Sequence, residues 1–451
     1  MSDYCHYCNY FDDEEEYICD RTNPNVCKPC QKLRELETKI RETRKMLVGL
    51  ANERQKLKEE ANRIHDRIVH RLPFEVVADI FEMCLPQDVM NIDLHRANRY
   101  TISAPFILSA VCKLWRTITH STPQLWKNLL LCGGEGTEEK SYFPLPDTNI
   151  VEEWIQRAGA YPLSISLCMR REERSIIRAD EPSLTMNIIG ILNRHSDRWS
   201  QLKYEGPSYL LSYFRNDEDL PQLRQLRIDA FHIYGSLDGD QRTLKLRPSQ
   251  LNALTLRSLV LDVGAFNWQE LEKLDIGPTL LSHCFAILQK GSQLIRCIFR
   301  YLSKGEFCFP PPQIIFHQKI QHLEITESPW YKDIIENLAC PSLKKLVLSS
   351  NRPDTMQVIA DFLMRSDCAL ESFSLETEHM SESDIFLLYQ AMPTLQHLCI
   401  YASRASSPPI GRILFSSLAE FSITNGKREP LYLPFLNSLK LDEDIQFDLS
   451  H

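Results

Sequence analysis

The chain contains 451 residues, with 51 Lys and Arg against 60 Asp and Glu, and its formal net charge is −9. This length is enough for two or three domains with buried cores, and the composition is neither collagen-like nor disordered. The negative charge argues against a protein that binds nucleic acid over its whole surface. No apolar run is long enough to span a bilayer and the first residues lack the regions of a signal peptide, so we expect an intracellular protein, cytoplasmic or nuclear.

The first 30 residues hold five of the 15 cysteines. Cys5 and Cys8 form one Cys-x2-Cys pair, and Cys27 and Cys30 form a second pair after a gap of 18 residues. Two such pairs bring four sulfur atoms to the corners of a tetrahedron, so the spacing is typical of one structural zinc. A segment this short cannot bury a core, so the metal would stabilise its fold. The alternative is an acidic tail with unligated thiols.

Residues 31–70 contain no proline and one glycine, and their apolar residues recur at spacings of three and four. These apolar residues are Leu33, Leu36, Ile40, Leu47, Leu50, Leu57, Ala61, Ile64 and Ile68. The pattern predicts a coiled-coil helix, although Thr43 and Arg54 in the seam weaken the case for a tight dimer. The seam either self-associates with a second copy or packs back on its own chain. Lys and Arg outnumber Asp and Glu here, which we interpret as a solvated face.

Residues 70–131 carry three short motifs. They read Leu72-Pro73-Phe74-Glu75 followed by Ile80-Phe81, then Val111-Cys112-Lys113-Leu114-Trp115, then Thr122-Pro123-Gln124-Leu125-Trp126. Pro73 suits the first turn of a helix, and Glu75 suits the positive end of the helix dipole. Two short helices with more apolar surface than they can bury against each other predict a module that binds a partner.

This set of motifs resembles the F-box, and it is most similar to the F-box proteins abundant in mushroom-forming fungi. Residues 86–107 depart from a minimal F-box, which has a short turn at that point. The resemblance implies docking to the Skp adaptor of a cullin-based ubiquitin ligase through apolar side chains. The residues that match the docking surface are Leu72, Pro73, Val76, Ile80, Phe81, Val111 and Trp115.

From residue 195 onward the chain repeats the unit Leu-x-x-Leu-x-Leu at steps of 18 to 28 residues. The ten copies begin at Leu223, Leu251, Leu271, Leu294, Ile320, Leu343, Leu370, Leu395, Leu418 and Leu436. In each copy, alternating apolar residues predict a strand with one buried face, and the intervening residues supply helices. The array resembles the leucine-rich repeats that often follow an F-box.

We therefore expect an α/β protein in which a coiled-coil helix and a helical F-box precede a leucine-rich-repeat solenoid, with parallel strands on its concave face and helices outside. The expected domains are a zinc knuckle (1–30), a coiled-coil helix (31–70), an F-box-like module (70–131), an irregular linker with capping repeats (132–194) and the repeat array (195–451).

Concave solenoid faces bind extended partners, so polar residues on the predicted strands are candidates for binding a target protein. These candidates are Arg227, Asp229, Lys273, Asp275, Arg296, Arg300, Glu324, Lys345, Glu376 and Tyr401.

The chain contains no motif for phosphate or dinucleotide binding, zinc proteolysis or serine hydrolysis, so we expect a protein that is not an enzyme. The first hypothesis is a substrate-recognition subunit of a Skp–cullin–F-box ubiquitin ligase, which raises the concentration of a target near the ligase. The second is a scaffold outside any ligase, assembled through the coiled coil and the zinc knuckle. A nucleic-acid reader is a weaker third hypothesis because residues 12–16 are acidic, and we expect no membrane partner.

Overall fold

The computed structural model of the chain describes residues 28–65, 72–92, 104–133, 145–169, 181–214, 220–231, 246, 248–259, 263–305, 311, 313–350, 355–377, 380–402, 414, 418, 421–424, 427–441 and 445–448. These residues belong to two compact units, which divide between Val77 and Ala78. The division falls within a helix that spans Phe74–Met83.

Helices occur in both units. Within the described residues, the α-helices are α1 (Lys28–His65), α2 (Phe74–Met83), α3 (Ala104–Val111), α4 (Lys113–His120), α5 (Thr148–Arg157), α6 (Glu181–Asn193), α7 (Leu281–Lys290), α8 (Tyr331–Glu336), α9 (Thr355–Ser366) and α10 (Glu382–Ala391). Short 3-10 helices occupy Pro123–Trp126, Ser196–Arg198, Ser208–Tyr213 and Val263–Ala265. The prediction of a long N-terminal helix is confirmed, because α1 continues for 38 residues.

Strands follow from Asn128 onward. They are β1 (Asn128–Gly133), β2 (Leu163–Met169), β3 (Trp199–Pro207), β4 (Gln225–Phe231), β5 (Ala253–Arg257), β6 (Lys273–Gly277), β7 (Thr279–Leu280), β8 (Arg296–Arg300), β9 (Leu302–Ser303), β10 (Ile315–Phe316), β11 (His322–Thr326), β12 (Leu338–Ala339), β13 (Lys345–Ser350), β14 (Ser372–Thr377), β15 (His397–Ala402), β16 (Phe421–Thr424), β17 (Lys427–Pro430), β18 (Ser438–Leu441) and β19 (Ile445–Asp448).

One large sheet, called the main sheet below, organises the second unit. Its 13 strands follow the order β1-β2-β3-β4-β5-β6-β8-β11-β13-β14-β15-β18-β19. Neighbouring strands are parallel as far as β18, and β19 closes the series as an antiparallel strand. The expected α/β class with a large parallel sheet is confirmed, and the arrangement is that of an α/β solenoid-like fold.

Buried apolar side chains align from strand to strand in the main sheet. Leu226 of β4 pairs in register with Leu254 of β5, which pairs with Leu274 of β6, and each is 1% exposed. Cys297 and Leu323 continue the same row at 0% exposure. Burying one leucine contributes about 2 kcal/mol, so this ladder is a large part of the driving force for the fold. Along each strand, the residues that alternate with these buried ones lie on the opposite side of the sheet, which we call the outer face.

The main sheet begins before the first repeat of the array. β1 pairs with β2 and β2 with β3, all parallel, so strands at 128–133 and 163–169 belong to the same sheet as the later copies. Buried apolar residues lie on these strands as they do on the repeats, with Leu129 and Ile165 each at 0% exposure. The main sheet thus extends into the region predicted to hold an irregular linker and capping repeats.

The ninth copy of the repeat does not contribute a strand to the main sheet, which corrects the sequence interpretation. Phe421–Thr424 forms β16 and pairs antiparallel with β17, while β15 pairs directly with β18. The two residues between β16 and β17 are Asn425-Gly426, the dipeptide that favours a tight hairpin turn. Local turn chemistry therefore outweighs the repeat pattern at this point.

A short segment after α2 packs on the outer face at the start of the main sheet. Val89 and Ile92 contact Leu130 and Cys168, and the Lys203 Nζ donates a hydrogen bond to the Ile92 carbonyl at 2.6 Å. These contacts make the helices from Ala78 onward part of the same unit as the sheet. They also cover the outer face at β1–β3.

Trp126 connects the helices to the first strands. It is 0% exposed, and its indole N–H donates to the Thr119 carbonyl at 2.8 Å. Its own carbonyl accepts a hydrogen bond from the Trp154 indole at 2.8 Å, and the Arg157 guanidinium lies 4.7 Å from its ring centroid. The Thr-Pro-x-Leu-Trp motif therefore fixes α4 against α5 at the entrance to the sheet.

Candidate functional site

The structure distributes the seven predicted adaptor-binding residues between exposed and buried positions. In the first unit, Leu72 is half-buried, Pro73 is exposed and Val76 is 40% exposed. Val76 lies on α2, whose first turn has Glu75 at its N-terminal end, as the sequence predicts.

In the second unit, Ile80 on α2 and Val111 at the end of α3 are 41% and 55% exposed. Met83, which the sequence interpretation missed, is 78% exposed. The helical spacing in the sequence could have identified Met83, because this residue follows Ile80 by three positions and therefore lies on the same side of the helix. Large apolar side chains exposed on short packed helices are typical of a surface that a partner covers.

Phe81 and Trp115 lie beneath this surface instead of on it. Phe81 is 2% exposed and its ring centroid lies 4.7 Å from that of the half-buried Trp115. The pair holds α2 against α4, with Ile118 also buried at 2% exposure. Phe81 therefore positions α2, which carries Ile80 and Met83, and a partner cannot contact the Phe81 ring without separating α2 from α4.

The outer face of the main sheet carries a continuous chain of charged side chains on β4 to β11. We call these residues, Asp229, Arg257, Asp275, Arg300 and Glu324, the ion-pair chain. Arg257 lies 3.8 Å from Asp229 and 2.9 Å from Asp275. Arg300 lies 3.1 Å from Asp275 and 3.0 Å from Glu324. The alternation of sign across neighbouring strands makes each contact attractive.

Burial and pairing shift the pKa values of this ion-pair chain. The imidazole of His322, whose Nε2 lies 3.6 Å from Glu324 Oε2, lowers the pKa of the Glu324 carboxyl below 4.5; burial opposes this and Arg300 adds to it. Burial raises the pKa of Asp229 above 3.8 despite the attraction of Arg257. Burial lowers the pKa of Arg257, but its hydrogen bond to Asp275 and the surrounding carboxylates outweigh burial, so the net shift of the pKa is upward.

Gly277 makes room for Arg300 in the ion-pair chain. A Cβ at Gly277 would lie 2.7 Å from both the Cβ and the backbone oxygen of Arg300, closer than packed atoms approach. Because Gly277 has no side chain, the Arg257 and Arg300 side chains both reach Asp275. This glycine is therefore a spacer that the repeat pattern alone does not reveal.

A row of basic side chains lies beside the ion-pair chain. Lys273 pairs in register with Arg296, Arg296 with His322, and His322 with Lys345. The side chains of Lys273, Arg296 and Lys345 are exposed, whereas His322 is half-buried. We call Lys273, Arg296 and Lys345 the basic row. Three of these four adjacent strands thus present positive charge to solvent at one level of the sheet.

The remaining candidates on the outer face lie at the two ends of this surface. Arg227 is half-buried on β4, and its Nε is buried without a hydrogen-bond partner among the described residues. Glu376 pairs in register with Tyr401, and the Lys440 Nζ lies 5.4 Å from the centroid of the Tyr401 ring.

Arg257, a member of the ion-pair chain, was missed in the sequence interpretation. It follows the third apolar residue of its repeat, the position that Asp229 and Arg300 occupy in theirs.

The zinc prediction falls largely on residues outside the described ranges. Cys5, Cys8 and Cys27 lie there, and Cys30 lies in α1. In the described part of the chain, no group of three or more His, Cys, Asp or Glu side chains could hold a metal ion. The structural zinc therefore stays a prediction.

The chain matches no protein-family model, and it matches no curated protein sequence. Among the helices that the structure describes, none is both long enough and apolar enough to cross a bilayer. Functional inference therefore depends on the residues and contacts described above.

Gly277→Ala should lower the free energy of unfolding by about 2 kcal/mol, because the added methyl group collides with the Arg300 backbone. Gly190→Ala is the matched control: Gly190 lies in α6, and a Cβ added there would have nothing within 4 Å, so alanine should stabilise the helix by about 0.5–1 kcal/mol. Urea denaturation of both variants checks this pair. Equal effects of the two substitutions would contradict the spacer role.

Glu324→Gln should reduce stability most near neutral pH. The pKa of Glu324 is lowered on folding, so its ionised form contributes stability above pH 4.5 that is lost as the pH falls through the folded-state pKa. The difference in unfolding free energy between the wild-type protein and the variant should therefore shrink as the pH falls below 4.5. Glu371→Gln is the control, because its carboxylate forms an exposed pair with Lys344. A Glu324→Gln effect that is constant from pH 7 to pH 3.5 would contradict the pairing.

Proposed function

We propose that the protein is the substrate-recognition subunit of a Skp–cullin–F-box ubiquitin ligase. In this role the helical residues between Ala78 and His120 dock the Skp adaptor, and the outer face of the main sheet binds a target protein. The protein performs no chemistry itself. It places the target near the transferred ubiquitin and so raises the effective concentration of the target there.

The exposed apolar side chains of α2 and α3 carry the first half of this proposal. Ile80, Met83 and Val111 are more than 40% exposed, and α2, which carries the first two, packs through Phe81 against Trp115. They occur within the motif set that resembles the F-box, on the helices through which that family contacts its adaptor. A preformed apolar surface on packed helices binds a partner without a large cost of ordering.

Charge on the outer face supports the second half and indicates the chemistry of the target. The ion-pair chain is internally neutralised in large part, whereas the basic row presents Lys273, Arg296 and Lys345 to solvent. Solenoid sheets bind extended segments along such rows. The target segment that fits is acidic and extended, lying across β6 to β13.

The continuity of the second unit supports a link between the two functions. The segment after α2 packs on Leu130 and Cys168 of the main sheet, and Trp126 joins α4 to α5. Ile80, Met83 and Val111 and the open outer face from β4 onward therefore belong to one compact unit. A rigid connection of this kind is what a ligase subunit needs in order to hold a target at a fixed position.

Ile80→Asp and Val111→Asp should each weaken binding of the full-length chain to purified Skp adaptor by roughly thirtyfold, because a carboxylate at an apolar contact costs about 2 kcal/mol. Met364→Asp is the control, since Met364 is 68% exposed on α9, far from the helical module along the chain. Surface plasmon resonance measures the three dissociation constants. Wild-type affinity in the Ile80→Asp/Val111→Asp double variant, with unchanged circular dichroism, would refute the assigned surface.

Reversal of charge in the basic row tests the target surface separately. The full-length chain should bind a fluorescent peptide of alternating Glu and Ser more tightly than its Lys-and-Ser counterpart. Lys273→Glu/Lys345→Glu should weaken that binding by about tenfold, through loss of attraction and new repulsion. Lys290→Glu/Lys319→Glu changes the net charge equally away from the row and should have little effect. Equal losses in the two double variants would show that only net charge matters, which contradicts the basic row.

A further inference from the structure

The helix α1 presents a stripe of large apolar side chains to solvent. The stripe follows the heptad spacing along one side of the helix, and we call it the seam. Its large apolar members are between 42% and 68% exposed: Leu33, Leu36, Ile40, Leu47, Leu50, Leu57 and Ile64. Seven such side chains in one stripe strongly favour association, because covering one leucine contributes about 2 kcal/mol.

Two polar residues of the seam, Thr43 and Arg54, decide whether a parallel or an antiparallel pair of helices is favourable. In a parallel pair, each residue of the seam faces its own counterpart, so Arg54 faces Arg54 of the second copy. Two buried guanidinium groups at one level repel each other and lack a partner. A parallel pair also places Lys39 beside Arg44 of the second copy, which is repulsive, although it brings Lys32 beside Glu37 and Glu53 beside Lys58. The facing Arg54 side chains are therefore the main cost of the parallel arrangement.

An antiparallel pair removes both problems. We propose that α1 binds α1 of a second copy of this chain as an antiparallel coiled coil centred between Val48 and Gly49. Every apolar residue of the seam then faces another apolar residue, and the two polar residues face each other. The facing pairs are Leu33 with Ile64, Leu36 with Ala61, Ile40 with Leu57, Thr43 with Arg54, and Leu47 with Leu50.

The charges beside the seam are complementary in this arrangement. Lys39 of one copy flanks Glu60 of the other, and Glu37 flanks Lys58. Each contact occurs twice because the pair has two-fold symmetry. These flanking charges in the N-terminal half of α1 are therefore opposite in sign to those that they meet in the C-terminal half.

The surface shape of α1 has the same symmetry. One shallow groove is lined by Leu36, Ile40, Thr43 and Leu47, together with Lys39 and Arg44. A second is lined by Leu50, Arg54, Leu57 and Ala61, together with Glu53 and Lys58. In the antiparallel pair, the four seam residues of the first groove face the four of the second, one for one. The charges that flank the seam thus complement α1 itself, which points to a second copy as the occupant.

This pairing gives the protein two recognition units. At a rise of 1.5 Å per residue, Leu33 and Ile64 lie about 45 Å apart along α1. The C-terminal ends of the two helices, from which each chain continues, therefore lie at opposite ends of the coiled coil. A bivalent subunit of this kind would bind a multivalent target more tightly than either copy alone.

Light scattering on the full-length chain tests the association. The expected mass is twice 52.4 kDa. Leu47→Asp should give the monomer, whereas Val48→Asp should stay dimeric, because Val48 is 59% exposed but lies outside the seam. A wild-type protein that stays monomeric at tens of micromolar, or a Val48→Asp variant that dissociates as fully as Leu47→Asp, would overturn the proposal.

A charge reversal tests the orientation. Lys39→Glu places a second carboxylate beside Glu60 of the second copy in the antiparallel pair, so the dimer dissociation constant should rise about tenfold, and Lys39→Glu/Glu60→Lys should restore it. In a parallel pair the same substitution would replace the repulsion from Arg44 with attraction and tighten the dimer. Lys45→Glu, outside the flanking positions, is the control. Sedimentation velocity measures the constants; a tighter Lys39→Glu dimer, or no rescue by the double variant, would overturn the antiparallel orientation.

Discussion

The strict register of the parallel strands is the constraint on which the second unit depends. Neighbouring strands supply buried apolar residues at the same level, as Leu226, Leu254 and Leu274 show. The same register fixes the residues on the outer face at neighbouring positions, whatever their charge. In the ion-pair chain this proximity brings opposite charges together, from Asp229 to Glu324, whereas in the basic row it brings like charges together. One geometric rule thus determines both the core and the pattern of the surface.

Both ends of the main sheet are finished by elements outside the repeat. At the first strands, Val89 and Ile92 cover Leu130 and Cys168 on the outer face. At the other end, β19 adds an antiparallel strand beside β18. The segment after α2 therefore stabilises the first strands of the main sheet, while α2 and α3 expose apolar side chains that a partner can cover.

Much of the fold was predictable because it depends on local patterns. The spacing of leucines predicted the strands that follow Leu223, and the absence of proline after residue 30 predicted α1. The hairpin at Phe421–Thr424 was not predicted, because its sequence satisfies the repeat while the following turn favours an antiparallel partner. Residues 132–194 were hard to interpret, since they lack the complete Leu-x-x-Leu-x-Leu unit of the later copies.

The candidate surfaces were predictable only in part. The resemblance to the F-box gave Phe81 and Ile80 the same role, and sequence periodicity cannot distinguish the two apolar sides of a short helix, although one residue is buried and the other exposed. Likewise, the repeat pattern identified Asp275 and Arg300 but not Gly277, whose importance comes from the close approach of a neighbouring strand. Contacts between distant parts of the chain decide whether a residue such as Phe81 is buried and whether a position such as Gly277 must lack a side chain.

The central claim is that the exposed apolar residues of the helical module form a docking surface for the Skp adaptor. Isothermal titration of the wild-type full-length chain with purified adaptor tests it most directly. The account predicts a one-to-one complex with a dissociation constant below about 1 μM and a negative heat-capacity change from apolar burial. Absence of heat at tens of micromolar adaptor, with the chain folded by circular dichroism, would contradict it.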